Sequence, residues 1–525
     1  MSVDVAIVGA GFAGLAMAGA LRRAGRDSFT ILELGRSVGG TWRDNTYPGV
    51  SCDVPSHLYG LAQHPWPDWS GVYARGDEIH RYLQHVADAE GLRERLRLDT
   101  ALLSARWVDD GWTLETGGAH AGTTRASRLV LACGRLTEPR IPDVPGLETF
   151  GGPIFHSARW DHTVPLAGTR VAVVGTGASA AQLVPELVRR GAEVVLFQRT
   201  PAWIVPRGAR DYTADERRRF AGRPDELAAL RARLYDEGEA RFASRSGDAD
   251  AAAAAVAEAR AHLARQIEDP ALRAALTPGY AFGCKRVLLS DDFYPAVASP
   301  AVTLEASALA RIDGGALVAA SGARHDADLL VLATGFTASQ QPYADLVTGE
   351  RGVTLGEHWA SGMTSFASTV VAGFPDLFVL NGPNASLGHN SSVLMAEAQA
   401  EYVVRSLDVA EARAAAGSAD ESCAADETGA EDRDGACHGA RARSVLRLDP
   451  AAERAYTERI DAAAASTPWI RGGCDNWYVD ERSGRLTLLW PGTVGAFRAM
   501  LDESDGSEFL PAGATRDPSR VRGET

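Results

Sequence analysis

The stretch that decides the fold is residues 5–33, VAIVGAGFAGLAMAGALRRAGRDSFTILE. A short apolar run leads into a glycine-rich turn and a helix-periodic segment, and a second apolar run closes the stretch at Glu33. This succession predicts a strand, a tight turn, a helix and a strand, which is half of a doubly wound nucleotide-binding sheet. The glycines of the turn are Gly9, Gly11 and Gly14. They would let the backbone approach a pyrophosphate at the helix N terminus, and Glu33 would accept a hydrogen bond from a ribose 2′-hydroxyl.

The same pattern returns at residues 171–197, with a turn that contains Gly175 and Gly177. No acid follows the second strand of this unit; Arg199 stands there instead. A guanidinium suits a 2′-phosphate, which favours NADPH over NADH, although a solvated arginine at a strand end is the plainer alternative. We therefore predict an α/β fold with two Rossmann-like dinucleotide-binding domains, FAD in the first and NADPH in the second.

Composition shifts along the chain predict the domain organisation. We expect a discontinuous FAD-binding domain at 1–146 and 340–525, and an NADPH-binding domain at 147–339. An Ala, Arg and Glu-rich stretch at about 208–283 predicts a helical insertion that covers the active site. Residues 416–442 lack large apolar side chains, so we expect a mobile loop there.

Charge and cysteine content narrow the function. The 525 residues carry 53 Lys+Arg and 68 Asp+Glu, a net charge of −15, which argues against binding to nucleic acid or to an anionic membrane. We predict no membrane span and no metal site, because no run is long and apolar enough and the six cysteines show no metal or redox spacing. These features favour a reducing compartment, the cytoplasm.

Residues 150–161, FGGPIFHSARWD, fit the pattern FxGxxxHxxxW followed by Pro or Asp. A second pattern is met by residues 40–53, with Gly-Thr-Trp, then Tyr-Pro-Gly, then Asp53. On both motifs the chain resembles Baeyer–Villiger monooxygenases, and the resemblance extends over nearly its whole length. The fingerprint positions are Phe150, Gly152, His156, Trp160 and Asp161. We expect His156 to have a structural and gating role.

The resemblance implies that NADPH reduces FAD, that O2 then forms a flavin peroxide, and that this peroxide converts a ketone into an ester or lactone. Arg286 would stabilise the negative charge of the reaction, Asp53 would orient Arg286, and Trp477 would lie near the nicotinamide. Lys285, the only lysine of the chain, would hold the 2′-phosphate. The other cofactor contacts that the resemblance implies are Gly40, Thr41, Trp42, Asp53, Tyr59, Gly175, Gly177, Ser179, Gln182, Arg199, Thr200, Thr334 and Gly335.

Three other functions compete with this one. A flavin-dependent N- or S-oxygenase shares the two nucleotide folds, but its fingerprint usually lacks the Trp160–Asp161 pair. A pyridine-nucleotide disulfide reductase needs a redox cysteine pair, and Cys52 has no partner at short spacing. A non-catalytic flavin-binding protein would have a broken Arg286, Asp53 or second glycine turn, and all three are intact.

Overall fold

The computed structural model describes residues 2–425 and 444–511. Its strands are β1 (Ser2–Val8), β2 (Phe29–Leu32), β3 (Leu96–Arg97), β4 (Thr100–Val108), β5 (Gly111–Gly118), β6 (Gly122–Leu131), β7 (Ile154–His156), β8 (Arg170–Val174), β9 (Glu193–Phe197), β10 (Ile204–Val205), β11 (Leu288–Leu289), β12 (Val302–Glu305), β13 (Leu309–Asp313), β14 (Ala316–Ala319), β15 (Arg324–His325), β16 (Leu329–Leu332), β17 (Val347–Thr348) and β18 (Leu377–Val379).

The α-helices are α1 (Phe12–Arg23), α2 (Thr41–Asp44), α3 (Gly76–Ala89), α4 (Ala178–Arg189), α5 (Ala214–Gly222), α6 (Pro224–Ala240), α7 (Phe242–Ser246), α8 (Ala249–Gln266), α9 (Pro270–Ala275), α10 (Phe293–Val297), α11 (Leu355–His358), α12 (Ser392–Ala425), α13 (Pro450–Ala464), α14 (Pro468–Arg471) and α15 (Val494–Asp502). Short 3₁₀ turns lie at Arg93–Arg95, Leu147–Thr149, Ser157–Arg159 and Pro342–Leu346.

The first sheet has the order β17-β4-β5-β6-β1-β2-β3, with β18 also paired to β6. Strand β1 runs parallel to β2 and β6, so Val8 lies beside Leu32 and Leu131 at the carboxyl edge of the sheet. Helix α1 buries Leu15 and Leu21 in the core that it shares with α12. Since ligands of such sheets bind beyond the carboxyl ends of the strands, this edge positions the first glycine turn.

The second sheet has the order β12-β9-β8-β16-β7, and all its pairs are parallel. Most of its β-branched and leucine side chains are buried, as in a sheet covered on both faces. The two-unit α/β fold predicted from the sequence is confirmed. The boundaries predicted near 146 and 340 fall between strands of different sheets, because β6 and β17 belong to the first sheet and β7 and β16 to the second.

The predicted insertion is helical, from α5 to α9. Thr213 and Glu216 form a capping box at the start of α5, and aspartates cap α8 and α9. Helix α8 packs through Ala259 against a cluster that includes Trp203 and Phe282. This contact seats the insertion on the loop at residues 280–287.

The mobile loop predicted at 416–442 is wrong for its first ten residues, because α12 continues through Ala425. Alanine is the strongest helix former, so a segment without large apolar side chains can still extend an existing helix. The remainder, 426–442, lies outside the described residues. Over the described ranges, we find no helix with the length and apolarity needed to cross a membrane.

Candidate active site

The first glycine turn is held in place by close packing. Gly9 has φ +105°, and a Cβ there would lie 2.4 Å from the carbonyl oxygen of Ala132; a Cβ on Gly14 would lie 1.9 Å from the carbonyl oxygen of Gly9. Gly11 is different, since its Cβ would meet only Gly40 at 3.8 Å. Helix α1 starts just after Gly11 without a side-chain cap. Its first amide groups therefore lack a side-chain acceptor beside an open backbone, which fits a pyrophosphate.

The carboxylate of Glu33 is buried and already engaged. It accepts hydrogen bonds from the amides of Ala10 at 2.8 Å and Gly35 at 2.7 Å, and from Nη1 of Arg43 at 2.6 Å. A carboxylate has about four acceptor sites, so one is left for a ribose hydroxyl. The structure shows Glu33 fixing the glycine turn, and its contact with a ribose stays a prediction.

The predicted flavin residues of the 40–59 segment gather at the start of α1. Gly40, at φ +51°, precedes Thr41, the first residue of α2. The indole nitrogen of Trp42 donates to the hydroxyl of Tyr59 at 3.3 Å, and the Tyr59 ring lies 5.0 Å from that of Phe12. Residues distant in sequence thus form one wall beside the first turn.

The second glycine turn has the same construction as the first. Gly175 has φ +111°, and a Cβ there would lie 2.5 Å from the carbonyl oxygen of Ala333. A Cβ on Gly177 would meet nothing within 4 Å, and α4 begins directly after it without a side-chain cap. This turn also fits a pyrophosphate. Thr200 contacts this turn, because its backbone carbonyl accepts a hydrogen bond from the hydroxyl of Thr176 at 3.0 Å.

Arg199 and Lys285 form a cationic site next to this turn. Within the part of the chain that the structure describes, neither has a carboxylate within ion-pair distance. Burial and then the charge of Arg199 lower the pKa of Lys285, while Asp475 opposes this shift. Two facing cations repel each other, and a phosphate between them would remove that repulsion. The pair therefore fits the 2′-phosphate expected from the sequence.

Ser179 and Gln182 face the loop at 47–51 rather than an open cavity. The side-chain oxygen Oε1 of Gln182 accepts a hydrogen bond from the hydroxyl of Tyr47 at 2.9 Å. Its Nε2 donates to the carbonyl of Ser51 at 2.9 Å. Ser179 also lies beside the hydroxyl of Tyr47. Their contact with a cofactor stays a prediction. In the structure, both side chains contact the first nucleotide unit.

Arg286 and Asp53 meet at the centre of the site. Nε of Arg286 donates to Oδ2 of Asp53 at 2.8 Å, and Nη2 lies 2.7 Å from the same oxygen as part of the ion pair. The charge of Asp53 raises the pKa of Arg286 above the usual value of a guanidinium. The side chains remain 31% and 23% exposed, so the pair faces open space rather than the core. The structure thus joins the two residues predicted to act together, which are 233 positions apart.

Trp477 and Tyr478 lie on a loop that approaches this pair. Asn476 shapes the loop, because its side chain donates to the carbonyl of Trp469 and accepts from the amide of Tyr478. The Trp477 ring lies 4.6 Å from that of Tyr478. Burial raises the pKa of Tyr478, and the neighbouring Arg286 opposes the rise. Tyr478 is thus a site residue to which the sequence analysis gave no role.

A disulfide between Cys284 and Cys474 joins the Arg286 loop to the Trp477 loop, with an S–S distance of 2.01 Å. The amide of Ala281 also donates to the carbonyl of Gly472 at 2.9 Å. The sequence analysis found no redox spacing among the cysteines and did not predict this bond. The two cysteines are 190 positions apart, so no local spacing could reveal them. Cys52 and Cys133 are free thiols.

The fingerprint residues lie on β7 and on the segments directly before and after it. Nδ1 of His156 accepts from the amide of Ala158 at 3.1 Å, and its ring lies 5.4 Å from that of Phe336. A Cβ on Gly152 would lie 2.2 Å from the carbonyl oxygen of Asp328. These contacts give the fingerprint a structural role.

The remaining fingerprint residues also make local contacts. Phe150 is buried, and the ring of Trp160 lies 4.9 Å from that of Phe155. Asp161 caps the turn by accepting from the amide and hydroxyl of Thr163.

The predicted cofactor residues Thr334 and Gly335 belong to a crossing between the two sheets. The hydroxyl of Thr334 donates to the carbonyl of Arg140 at 2.6 Å, and the amide of Arg140 donates to the carbonyl of Gly335 at 2.8 Å. The two chain segments that connect the nucleotide units therefore run side by side.

The sequence analysis missed two further arginines, of which Arg135 is buried and Arg207 is half-buried. Arg135 donates to the carbonyl of Asn381 at 3.1 Å, and burial lowers its pKa to about 10. Arg207 donates to the carbonyl of Cys52 at 2.8 Å. Neither stands in a recognisable motif, so no signal in the sequence identified them. Within the described ranges, no cluster of three metal-ligating side chains occurs.

Comparisons with known proteins agree with this geometry. A family model described as pyridine nucleotide-disulphide oxidoreductase matches residues 6–214. Two relatives named Baeyer-Villiger monooxygenase, from Streptomyces coelicolor and Pseudomonas aeruginosa, are 41% and 36% identical to this chain. These alignments cover 97% and 99% of this chain, and 92% and 94% of the relatives.

Solved structures extend the likeness to the fold. The structure titled oxidized steroid monooxygenase bound to NADP has a TM-score of 0.79 at 28% identity, covering 97% of this chain and 99% of that one. Cyclohexanone monooxygenase from Rhodococcus sp. Phi1 bound to NADP+ has a TM-score of 0.79 at 27% identity, covering 98% of this chain and all of that one, 100%. The chain belongs to the Baeyer–Villiger monooxygenase family.

Proposed function

We propose that this protein binds FAD and NADPH and uses O2 to convert a ketone into an ester or lactone. The observation that carries the proposal is the Arg286–Asp53 pair, which faces open space between loops of the two nucleotide units. When bound, NADPH supplies a hydride and FAD passes the electrons to oxygen. Every other requirement falls on the side chains and backbone of the chain itself.

Binding is the first of these requirements. The amides behind Gly11 and Gly177 would hold the two pyrophosphates, and Arg199 with Lys285 would hold the 2′-phosphate. The wall of Trp42 and Tyr59 would contact the flavin ring.

Charge stabilisation is the second requirement. Negative charge develops on the ketone oxygen as its carbonyl is attacked, and a fixed cation in a partly desolvated site stabilises that charge without reorganisation. Asp53 lies against Nε and Nη2 of Arg286, so Nη1 is the nitrogen that would donate to the substrate oxygen. Asp53 therefore orients the cation and sustains its charge.

The rival reaction, oxygenation at nitrogen or sulfur, does not need this cation. A heteroatom lone pair takes up oxygen without creating a negative carbonyl oxygen, so an oriented Arg286 would give no such benefit. The oriented pair favours a ketone substrate.

The test is to purify the protein, confirm its flavin absorbance, and supply NADPH, ¹⁸O₂ and a panel of cyclic, linear and aryl ketones. We expect ketone-dependent NADPH oxidation and an ester or lactone with one labelled oxygen. Sulfoxide formation from thioethers, with no ester from any ketone, would overturn the proposal. The proposal keeps the predicted cytoplasmic location, although the Cys284–Cys474 bond does not support the reducing compartment from which it was predicted. Cell fractionation would check it.

A further inference from the structure

Four guanidinium groups lie around Asp53, although the chain as a whole is acidic with a net charge of −15. They belong to Arg207, Arg241, Arg245 and Arg286. Among these four, and within the described residues, only Arg286 forms an ion pair with a carboxylate. The site therefore carries more positive charge than its own acids neutralise.

Arg245, on α7 of the insertion, is the most deeply buried of these cations, at 8% exposure. Its Nη1 donates only to neutral oxygens, chiefly the carbonyl of Arg241 at 3.1 Å, and its buried Nε has no hydrogen-bond partner in the described structure. Burial lowers its pKa to about 10, and the charges of Arg241 and Arg286 contribute to the shift. A buried cation without a counter-ion is costly, so an anion bound there would be stabilised.

Packing fixes Arg245 on the same loop as Arg286. Its guanidinium carbon lies 5.9 Å from the ring centre of Phe282. A Cβ on Gly283 would lie 3.0 Å from the Cα of Arg245, so the helix rests directly on this loop. The loop that contacts Arg245 at Gly283 therefore also carries Arg286, the predicted catalytic cation.

The nearby carboxylates do not serve Arg241 and Arg245. Asp53 is bound by Arg286. Glu239 accepts from the side chain of Asn390 at 3.0 Å, from the amides of Val494 and Gly495, and lies 3.4 Å from Nε2 of His389. Within the described residues, neither acid forms an ion pair with Arg241 or Arg245, and together they carry fewer charges than the four arginines.

The cofactor phosphates have sites of their own. The two glycine turns suit the pyrophosphates, and Arg199 with Lys285 suits the 2′-phosphate. Arg241 and Arg245 belong to none of these sites. Arg245 lies near the Arg286–Asp53 pair, and Arg241 lies next to Arg245. The anion that they would meet is therefore carried by the other ligand of the site, the substrate.

We propose that Arg241 and Arg245 bind a carboxylate carried by the ketone, so that the preferred substrate is an oxo acid whose carbonyl reaches Arg286. This inference rests on the proposed function and adds the substrate class to it. It assigns the insertion a direct role in specificity.

The test compares a series of oxo carboxylic acids of increasing chain length with their methyl esters, which have the same ketone but no charge. For the best chain length, we expect kcat/KM to favour the acid by roughly ten- to a hundredfold, as for a hydrogen bond to a charged group. Arg245→Gln and Arg241→Gln should each reduce this preference mainly through KM, and should affect the methyl ester far less. Arg260→Gln removes an exposed charge from α8 and is the matched control, which should keep the preference.

The possible failures are distinguishable. If neither acids nor esters are oxygenated while NADPH is consumed, the proposed function fails. If methyl esters are oxygenated and the acids are no better substrates, this inference is wrong. If Arg241→Gln and Arg245→Gln weaken NADP+ binding by the same factor whether the substrate is an acid or a methyl ester, the two arginines bind the dinucleotide. The inference is then also wrong. Flavin content and circular dichroism identify a variant that fails to fold. If Arg245→Gln fails to fold, Arg241→Gln, at a half-buried position, tests the inference.

Discussion

Arg286 acts through the direction of its guanidinium as well as through its charge. Asp53 holds two of its nitrogen atoms, so the third is directed by the protein rather than by solvent. Arg286→Ala should still bind FAD and accept electrons from NADPH, but ester formation should fall by about a hundred- to a thousandfold, the usual effect of losing such a donor. Arg286→Lys should restore only part of the rate, because an ammonium lacks the planar fork.

The measurement is ester produced per NADPH consumed, with hydrogen peroxide assayed in parallel. Peroxide should become the main product of the Ala variant. Ester formation by that variant at the parental rate would remove Arg286 from the mechanism.

The charge of Arg199 acts on Lys285, and neither forms an ion pair with a carboxylate of the described residues, so we predict that both bind the 2′-phosphate. Arg199→Ala should narrow the preference for NADPH over NADH by roughly ten- to a hundredfold, mainly through the KM for NADPH. Steady-state kinetics with both dinucleotides measure this change. Arg217→Ala, at an exposed position on α5, is a control that should keep full discrimination. If Arg199→Ala discriminates as well as the parent, the 2′-phosphate lies elsewhere.

Among the structural elements, the Arg286 loop and the Trp477 loop form one unit because Cys284 and Cys474 join them. Replacing both cysteines by serine should lower the free energy of unfolding by about 2–4 kcal/mol, as for other disulfides that close long loops. It should also raise the fraction of NADPH that ends as hydrogen peroxide, since the Trp477 loop would no longer be joined to the Arg286 loop. Cys133→Ser, which removes a free thiol, is the control.

Denaturant unfolding and peroxide assays measure the two effects. A digest prepared without reductant should contain the peptides of Cys284 and Cys474 joined together. Their absence, or a double variant as stable as the parent, would contradict the assignment of this bond.

At the scale of the whole molecule, Gln182 is one of the side chains that join the two nucleotide units. Gln182 on α4 exchanges three hydrogen bonds with Tyr47 and Ser51 of the first unit. Gln182→Ala should lower the free energy of unfolding by about 1–3 kcal/mol and increase peroxide release, because the two units would separate more easily. Gln84→Ala removes a glutamine that bonds within α3 alone, so it should change neither quantity as much. Equal effects of the two variants would show that Gln182 has no special role between the units.

Local sequence patterns predicted the glycine turns with their strands and helices. They did not predict contacts between residues that are distant in the sequence. Each glycine turn, its strands and its helix lie within about thirty residues, so their chemistry is visible in order along the chain. Asp53 and Arg286 lie far apart in the sequence. Only the resemblance of each segment to a family motif connected the two residues. Arg245 and the Cys284–Cys474 pair carry no motif, since their meaning comes from burial and from partners distant in sequence.

The single lysine gives this protein a chemical handle on its own cofactor site. Apart from the amine at the chain terminus, Lys285 is the only primary amine among 525 residues, and its lowered pKa leaves more of it unprotonated at mildly alkaline pH than an ordinary lysine. An amine-reactive dye should therefore label one internal position, and NADP+ should protect that position much better than NAD+. Peptide mapping of the dye would follow dinucleotide binding directly, without any need for turnover or a known substrate. Equal protection by the two dinucleotides would place Lys285 away from the 2′-phosphate.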